Sequence, residues 1–444
     1  MKLLLRLFFV LTPFYSFSQL SENVELLFHW DEDSLVGSEI YDNTYNEVWG
    51  VVLEEREYAI IGSTAGTHIF DVTSTGNISE VAFVAGKVQG PEIIHRDYHD
   101  YQNYLYAVSD EGASSLQIID ISTLPDSVSL VYDSSDLFER SHNIFIDTAT
   151  AKLYTTNGNI YTLDDPLDPE FLYNTSLLSC HDMYVQNDTA YINGGYSGFI
   201  IVDFSQTTID NQEHEVLGSL PTYRDQGYNH SGWLTADGKY YAMADETWGM
   251  RMKMLDLSDF LNIEVIALFG SYIDENSIPH NQIISGNYLY TAYYHDGLYV
   301  HDISNPSNPI LVGYYDTFLP DHHDSYMGAW GVYPFLPSGK ILLSDMQTGL
   351  YVFDINYDNS LTTFEFDDTI FSVFPNPCSE VLKIQTSTTI NANFELIDYN
   401  GRILFSEPFL SKEYSLNTSN LSKGIYLLKV YNKNKYSTYK IQVQ

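Results

Sequence analysis

Four histidines recur along the middle of the chain, and they are the residues best suited to chemistry. His142, His181, His230 and His280 follow one another at intervals of 39, 49 and 50 residues. Neutral imidazole nitrogens are good ligands for Fe, Cu and Zn, and carboxylates that accept hydrogen bonds from the rings fix their orientation. A fold that brings three of these rings together therefore predicts a transition-metal site.

The four histidines belong to a larger set of polar and aromatic residues, most of which open successive repeat units or the loops beside them. The set consists of Trp49, Arg96, Asp97, His142, Asn143, His181, Asp182, His230, Asp245, Glu246, His280, Asn281, Asp296 and Trp330. Three interpretations are open. The polar groups could satisfy backbone atoms of neighbouring repeats, or the set could bind an extracellular glycan or peptide. The third interpretation is a metal-dependent, oxidoreductase-like enzyme that uses the histidines.

Composition and motif content exclude several function classes. Acidic residues outnumber basic ones by 59 to 20, which gives a formal net charge of −39 and a surface that repels nucleic acids. Two cysteines are too few for a disulfide scaffold. No G-x-S-x-G, phosphate-binding loop, dinucleotide fingerprint or H-E-x-x-H pattern occurs in the sequence. The common hydrolases and nucleotide-dependent enzymes are therefore disfavoured.

A repeat positions the candidate residues. A strand that ends in aspartate recurs seven times, with the aspartates at Asp71, Asp120, Asp164, Asp203, Asp256, Asp302 and Asp354. Each unit opens with a short phrase, and the openers lie at residues 49, 96, 142, 181, 230, 280 and 330. A tyrosine-rich strand follows each opener, and a fourth strand follows the aspartate. Four antiparallel strands in each of seven units predict a seven-bladed β-propeller.

The two ends of the repeat region are predicted to meet. The seventh unit stops at Asp354-Ile355 without its fourth strand, whereas residues 23–30, NVELLFHW, match the fourth-strand pattern. We therefore expect this N-terminal strand to close the ring and remove a free sheet edge. Because the first strand of each blade lines the central channel, the openers are expected at one channel mouth.

The repeat region resembles a known family. The segments HRDYHDYQNYLYAVSDE, HSGWLTADGKYYAMADE and GAWGVYPFLPSG, within residues 24–355, are similar to the LVIVD-repeat, choice-of-anchor B group of secreted β-propellers. The resemblance implies the propeller fold together with a terminal anchor that varies between members. The third unit departs from the pattern, because it is short and lacks the glycine-led strand before its aspartate.

The two ends of the sequence differ from the repeat region and predict segments involved in export. Lys2, Arg6 and the apolar run of residues 7–17 predict a signal peptide over residues 1–18. The C-terminal residues 370–444 hold 8 basic and 5 acidic side chains, a net charge of +3, whereas residues 19–369 carry −44. This shift predicts a domain boundary. Alternating apolar and polar residues in the tail predict a small β-sandwich of about seven short strands.

The tail also resembles a known family. Residues 374–377 (FPNP), 382–384 (LKI), 398–401 (DYNG) and 424–426 (GIY) are similar to the C-terminal sorting domain of type IX secretion substrates. The resemblance implies a Bacteroidetes-type exporter as partner, and a mature body that is released or attached to the outer-membrane surface. The predicted organisation is a signal peptide (1–18), a propeller (19–357), a linker (358–369) and a sorting domain (370–444). We expect a monomer without a transmembrane segment.

Overall fold

A computed structural model describes residues 21–175, 180–320, 322–356, 371–386, 392–397, 403–409, 412–419, 421–432 and 435–444. Internal contacts divide the chain into two units, residues 1–356 and 357–444. The predicted signal peptide and linker lie outside the described residues, as does the DYNG segment of the tail. The units are called the body and the tail below.

The body consists of seven antiparallel sheets, and each contains a row of four hydrogen-bonded strands. The strands, in spatial order within each sheet, are Tyr45–Leu53, Arg56–Ser63, Gly66–Asp71 and Ser79–Ala85 (sheet 1); Arg96–Tyr101, Tyr104–Ser109, Leu116–Asp120 and Ser129–Ser134 (sheet 2); Ile144–Asp147, Lys152–Thr155, Asn159–Thr162 and Glu170–Asn174 (sheet 3); Asp182–Gln186, Thr189–Asn193, Phe199–Asp203 and Glu215–Leu220 (sheet 4); Asn229–Leu234, Tyr240–Asp245, Met252–Asp256 and Glu264–Phe269 (sheet 5); Gln282–Ser285, Tyr288–Ala292, Leu298–Asp302 and Ile310–Tyr315, with the short strand Ser21–Glu22 beside the last (sheet 6); and Ala329–Tyr333, Ile341–Asp345, Gly349–Ile355 and Val24–Trp30 (sheet 7).

The first strands of consecutive sheets lie side by side. That of sheet 1 contacts that of sheet 2, and the series continues to sheet 7, whose first strand contacts that of sheet 1. Apolar side chains fill the spaces between sheets; Tyr58, Ile60 and Leu105, for example, are fully buried between sheets 1 and 2. The body is therefore all-β and propeller-like. No helix in the described part of the chain is long and apolar enough to cross a bilayer.

The aspartate that ends the third strand fixes the turn that follows it. A carboxylate oxygen accepts a hydrogen bond from the backbone N–H two residues on, at 3.0 Å from Asp71, 2.9 Å from Asp120, 2.7 Å from Asp203, 2.9 Å from Asp256 and 2.8 Å from Asp302. This local bond competes with continuation of the strand. The recurring aspartate therefore ends the third strand and directs the chain towards the fourth.

The N-terminal strand Val24–Trp30 pairs antiparallel with Gly349–Ile355, so that sheet 7 combines both ends of the body. Val24 lies opposite Ile355, and Trp30 lies opposite Leu350. The Trp30 ring packs on Phe70 of sheet 1, with centroids 4.8 Å apart. The pairing covers an edge strand whose backbone groups would otherwise face solvent.

The tail contains two antiparallel sheets in a sandwich-like arrangement. One sheet holds Phe371–Phe374, Val381–Thr386 and Glu413–Asn417, and the other holds Ile403–Phe409, Ala392–Ile397, Gly424–Asn432 and Lys435–Val443. Leu382, Phe394 and Leu428 are fully buried in its core. In Val381–Thr386, Ala392–Ile397 and Gly424–Asn432, buried residues alternate with more exposed ones among the residues whose burial is described, as the alternating pattern predicts.

Candidate functional site

Five histidines and one tryptophan form a closed ring at the start of the first strands of sheets 2 to 7. The members of this histidine ring, one from each sheet, are His95, His142, His181, His230, His280 and Trp330. In that order, neighbouring side-chain centroids lie 4.7, 4.6, 4.3, 4.4 and 4.0 Å apart, and Trp330 returns to His95 at 5.2 Å. The repeat produces this geometry, because each sheet presents the same point of its first strand to its neighbours.

Carboxylates orient two of the rings. His142 Nδ1 lies 3.0 Å from Asp110 Oδ2, and His95 Nδ1 lies 2.5 Å from Glu111 Oε1. Burial lowers the pKa of His142, but the hydrogen bond and charge of Asp110 outweigh it, so the pKa is raised. An ionised carboxylate only accepts hydrogen bonds, so each Nδ1 carries the hydrogen and Nε2 is the atom left for a ligand.

Backbone carbonyls orient two further rings. His181 Nδ1 lies 3.2 Å from the carbonyl oxygen of His230, and His280 Nδ1 lies 2.6 Å from that of Trp330. A carbonyl oxygen cannot donate, so these Nδ1 atoms are the protonated ones as well. Four of the five histidines are thus held in the same tautomer by the residue or loop beside them, as metal-binding histidines usually are.

Burial keeps three of the histidines neutral. Burial, together with the charge of His142, lowers the pKa of His181 to about 3. Burial, followed by the charges of neighbouring histidines, lowers the pKa of His230 far below its usual range. It does the same for His280, where the Trp330 carbonyl opposes it only in part. A neutral imidazole has a free lone pair, which is the form that binds a metal ion.

A third carboxylate, that of Glu246, lies beside the ring. Glu246 Oε2 is 3.7 Å from His230 Nε2, and Glu246 Oε1 accepts a 2.5 Å hydrogen bond from the Tyr294 hydroxyl. Burial raises the pKa of Glu246 to about 7. His230 is 2% exposed, and its Nδ1 has no hydrogen-bond partner among the described residues. A buried polar atom without a partner is uncommon and indicates a missing ligand or water.

The donor atoms fall into three groups, and within each group all of them lie within 4.8 Å of one another. The groups are His95, Asp110 and His142; His142, His181 and His230; and His230, Glu246 and His280. Donors that share an ion at about 2.0–2.2 Å are at most about 4.4 Å apart. Small movements of the rings are therefore enough to place each group on one ion.

The ring encloses a cavity of about 150 Å³, bounded also by Glu246, Tyr41, Tyr294 and Tyr326. Trp330 packs against His280 and against the edge of Tyr294, with centroids 4.0 and 6.0 Å apart. A cavity needs roughly 10–15 Å³ to hold one water molecule. The site therefore has room for an ion and a small molecule together.

A second cavity of about 70 Å³, the acidic chamber, is lined by Glu47, Asp97, Asn143, Asp182 and Asn281. Three of these residues directly follow a ring histidine in the chain. Asn143 Nδ2 donates to Asp182 Oδ1 at 2.9 Å, and Asn281 Nδ2 donates to Glu47 Oε2 at 2.7 Å. Burial raises the pKa of Glu47 to about 7, of Asp182 to about 6, and of Asp97 well above its usual range.

Trp49 does not rim the same cavity as Trp330, although both were predicted at one mouth. The β-bulge of the first strand lies between Tyr45 and Val48 in sheet 1 and between Ala329 and Val332 in sheet 7. When the bulges are aligned, Trp49 corresponds to Tyr333, three residues beyond Trp330. Its ring packs on Tyr333, with centroids 4.9 Å apart. Both residues precede a glycine, but matching the two W-G pairs is wrong, because Trp330 lies within the bulge of its strand and Trp49 lies beyond it.

Three other predicted residues have separate environments. Arg96 is 5% exposed, and its Nε donates to the Ser63 carbonyl at 2.8 Å. Asp245 is fully buried and accepts from Lys253 Nζ at 3.0 Å. Asp296 accepts from His323 Nε2 at 2.8 Å. None of the three lines the cavity of the histidine ring. The ring member from sheet 2 is His95 and not the adjacent Arg96, so the predicted opener of unit 2 lies one residue too late.

Three contributors are not among the residues predicted from the sequence. His95 completes the ring between Trp330 and His142, and its signal was its position directly before Arg96. Glu47 lies in the acidic chamber, two residues before Trp49. Tyr294 hydrogen-bonds Glu246 from the loop after the second strand of sheet 6. The last contact joins separate sheets, and no spacing in the sequence predicts it.

Comparisons with known proteins agree with the two-unit organisation. A model of the secretion system C-terminal sorting domain matches residues 372–444, and a model of the LVIVD repeat matches residues 281–317. No curated protein matches the sequence. The chain thus combines a body of propeller-like, all-β fold, which contains an LVIVD repeat, with a type IX sorting domain. It is an exported protein, secreted or attached to the cell surface.

Solved structures show distant similarity. PorZ, an essential bacterial surface component of the type IX secretion system of Porphyromonas gingivalis, aligns at 14% identity and a TM-score of 0.48. The alignment covers 93% of this chain and 61% of that protein. The structure of U3-55K aligns at 10% identity and a TM-score of 0.50, covering 75% of this chain and 98% of that one. The second similarity concerns the fold alone.

Proposed function

We propose that the body is a closed seven-bladed propeller that binds a transition-metal ion in the histidine ring, on an exported protein handled by the type IX machinery. The seven sheets would be the blades, and Val24–Trp30 would supply the outer strand of the last one. The ion would be Fe, Cu or Zn, the metals that imidazole suits. No membrane span is needed for this role, because the sorting domain directs export.

The convergence of ring nitrogens with fixed tautomers supports this proposal. The His142, His181 and His230 donors lie within 4.8 Å of one another. Nε2 of His142, His181 and His280 has no hydrogen-bond partner in the described part of the chain, which leaves these nitrogens open to an ion or to water.

The surrounding charge also favours a cation. Glu246, Asp110 and Glu111 contact ring members directly, and the acidic chamber adds Glu47, Asp97 and Asp182. Burial raises the pKa values of Glu47, Asp97 and Asp182, and repulsion from neighbouring carboxylates adds to this at Glu47 and Asp97. A bound divalent ion would offset that repulsion, since the interaction between charges is strong at short range in a low-dielectric site.

Glycan or peptide binding at this mouth has less support. That interpretation relied on Trp49 and Trp330 flanking one opening, and the two side chains lie in different cavities. The tyrosines and Trp330 around the ring cavity are partly covered by one another. The cavity of about 150 Å³ is also small for a sugar ring or a peptide segment.

A metal-dependent enzyme of oxidoreductase type is the second candidate. The observation that favours it is the free volume, because the cavity of about 150 Å³ exceeds the volume of an ion. Catalytic metal sites keep a position open for water or substrate, whereas structural sites are closed. Tyr294 and Glu246 are the groups placed to hold a small molecule beside the ion.

Metal content of the full chain, purified without a histidine tag, tests the proposal. After exposure to Zn²⁺, Cu²⁺ or Fe²⁺ and desalting, we expect at least one ion per chain by elemental analysis. The double variant His181→Ala/His230→Ala should lose that ion while keeping its circular dichroism spectrum. His301→Asn is the matched control, because His301 is a buried histidine outside the ring, 2% exposed. Metal-free wild-type protein, or full retention in the double variant, contradicts the proposal.

A further inference from the structure

A second aromatic site occupies the other end of the first strands. Six side chains from sheets 1 to 5 and sheet 7 surround a cavity of about 320 Å³, here called the aromatic bowl: Trp49, His99, Phe145, Tyr184, Trp233 and Phe335. In that order, ring centroids are 4.6, 5.0, 5.3, 4.7 and 5.8 Å apart. Tyr333 completes the circle, at 5.5 Å from Phe335 and 4.9 Å from Trp49.

The bowl is separate from the histidine ring. Phe145, Tyr184 and Trp233 lie on first strands, each three residues after a ring histidine at or just before the start of that strand, which places them about 10 Å further along the chain. Trp49, His99, Phe145 and Trp233 also line the acidic chamber, so the chamber lies between the two sites. The two sites share no residue, and the inference below is independent of metal binding.

The bowl presents apolar faces to solvent in a way that packing does not require. Phe335 is 38% exposed, and the other rings except His99 are half-buried. A concave cluster of aromatic faces bordered by polar groups is typical of ligand sites. The border here is polar, with Asp147 and Gln186 at the ends of the first strands of sheets 3 and 4 and Asn187 in the turn that follows.

The charge around the bowl favours a cationic ligand. None of the described residues around the bowl is a lysine or arginine. Burial lowers the pKa of His99, so its ring adds no positive charge at neutral pH. Residues 19–369 carry a net charge of −44. Aromatic faces carry negative potential and attract cations, so both the walls and the long-range field favour a positively charged group.

Hydrogen-bonding capacity narrows the class further. Asp100 Oδ1 accepts from Trp49 Nε1 at 2.8 Å, which engages the indole edge. Both oxygens of Asp147 accept backbone N–H groups, from Ala149 at 3.1 Å and Asp188 at 2.8 Å. A primary ammonium has three N–H donors that need acceptors, which ring faces do not supply; the amide acceptors of the site lie at its border, on Gln186 and Asn187. A quaternary ammonium has no N–H donor and is attracted by ring faces alone.

We propose that the aromatic bowl binds a quaternary ammonium group, such as the trimethylammonium end of a choline-like headgroup or a trimethylated amine. The group would sit among the faces of Trp49, Tyr184 and Trp233, with the polar border contacting the remainder of the ligand. Aromatic cages of this composition recognise such cations through the electrostatic attraction between the charge and the rings.

Choline and its uncharged isostere 3,3-dimethyl-1-butanol test the inference in the full chain. Titrations followed by tryptophan fluorescence and calorimetry should show choline binding at least tenfold tighter than the alcohol. Trp233→Ala should weaken choline binding about tenfold, and Trp233→Phe should weaken it less. Trp248→Ala is the matched control, because Trp248 packs on Tyr326 on the histidine-ring side.

The outcomes are distinct. Equal affinity for choline and the alcohol overturns the inference in favour of a simple apolar pocket. Binding of neutral sugars but not of choline overturns it in favour of a glycan site, and no binding of any probe overturns it outright. If Trp233→Ala changes the circular dichroism spectrum, Trp233→Phe and Tyr184→Phe take its place in the comparison. Unchanged choline affinity in both of those, together with an equal preference for the isostere, contradicts the inference.

Discussion

His280 Nδ1 lies 2.6 Å from the carbonyl oxygen of Trp330, the next member of the histidine ring. The contact uses the backbone of Trp330 and not its indole, although the indole itself packs on the imidazole at 4.0 Å. His181 has the same relationship with the carbonyl of His230, at 3.2 Å. In these two cases each ring is oriented by the sheet that follows it, so that its orientation depends on the packing of neighbouring sheets.

The first prediction separates the two contacts of Trp330. Trp330→Phe keeps the carbonyl that orients His280 and a ring face that packs on it. We expect metal affinity to stay within about threefold of wild type, because the ligand nitrogen and its orienting partner are retained. Competition with a chromogenic chelator measures the affinity. A loss of more than about tenfold would show that the indole itself holds the ion or its ligands.

The second prediction concerns Asp110, which accepts a 3.0 Å hydrogen bond from His142. Asp110→Asn removes the charge and replaces one acceptor oxygen by an NH₂ donor while keeping the size of the side chain. Loss of a carboxylate that orients a ligating histidine costs about 10–100-fold in metal affinity, and we expect a decrease in that range. Glu139→Gln is the control, because it removes one charge from an exposed residue of the connection between sheets 2 and 3, outside the loop that holds Asp110. Equal effects of the two variants would reduce the role of Asp110 to general charge.

Much of the body could be predicted because its local rules repeat. The aspartate at the end of the third strand bonds the N–H two residues on, as for Asp120 and Ser122 at 2.9 Å. That interaction depends on three adjacent residues, so it is visible in the sequence. The grouping of His142, His181, His230 and His280 follows from the same periodicity, since equivalent positions of consecutive sheets become neighbours.

The remainder of the site depends on details that periodicity does not contain. A β-bulge adds a residue to a strand and redirects the side chains after it, which moved Trp49 to the bowl. The Tyr294–Glu246 hydrogen bond joins residues 48 positions apart in sheets 5 and 6. Asp245 and Glu246 are adjacent, yet only Glu246 reaches the cavity, because successive residues at the strand end face different neighbours. Such choices are decided by packing in three dimensions.

The third prediction is that Asp245 stabilises the fold and takes no part in metal binding. Its carboxylate pairs with Lys253 at 3.0 Å, with both side chains fully buried, and also accepts from Tyr223 at 2.8 Å. Asp245→Asn leaves the Lys253 charge buried without its partner, so we expect a loss of about 3–5 kcal/mol in the free energy of unfolding. Urea unfolding measures the loss. Metal content per folded molecule should stay unchanged, and a parallel loss of metal would place Asp245 in the site after all.

The fourth prediction concerns acid stability at the junction of sheets 1 and 7. Glu57 lies near the start of the second strand of sheet 1. Its carboxylate is 2.8 Å from Nζ of Lys340, the residue directly before the second strand of sheet 7. Burial raises the pKa of Glu57, but the hydrogen bonds from Lys340 and Ser338 outweigh it and leave the pKa below the usual 4.5. The ion pair therefore joins the two ends of the body only while Glu57 is ionised.

Because the folded pKa of Glu57 is depressed, its contribution to stability is fully present above the unfolded value of 4.5 and is lost as the pH falls through the folded value. Glu57→Gln removes that titration. We expect the difference in unfolding free energy between wild type and Glu57→Gln to be constant from pH 7 to about pH 5 and to shrink below it. Urea unfolding across this range measures the difference, and Glu54→Gln, an exposed carboxylate in the preceding turn, is the control. A difference in unfolding free energy that stays constant down to pH 3 would mean that ionisation of Glu57 does not stabilise the junction.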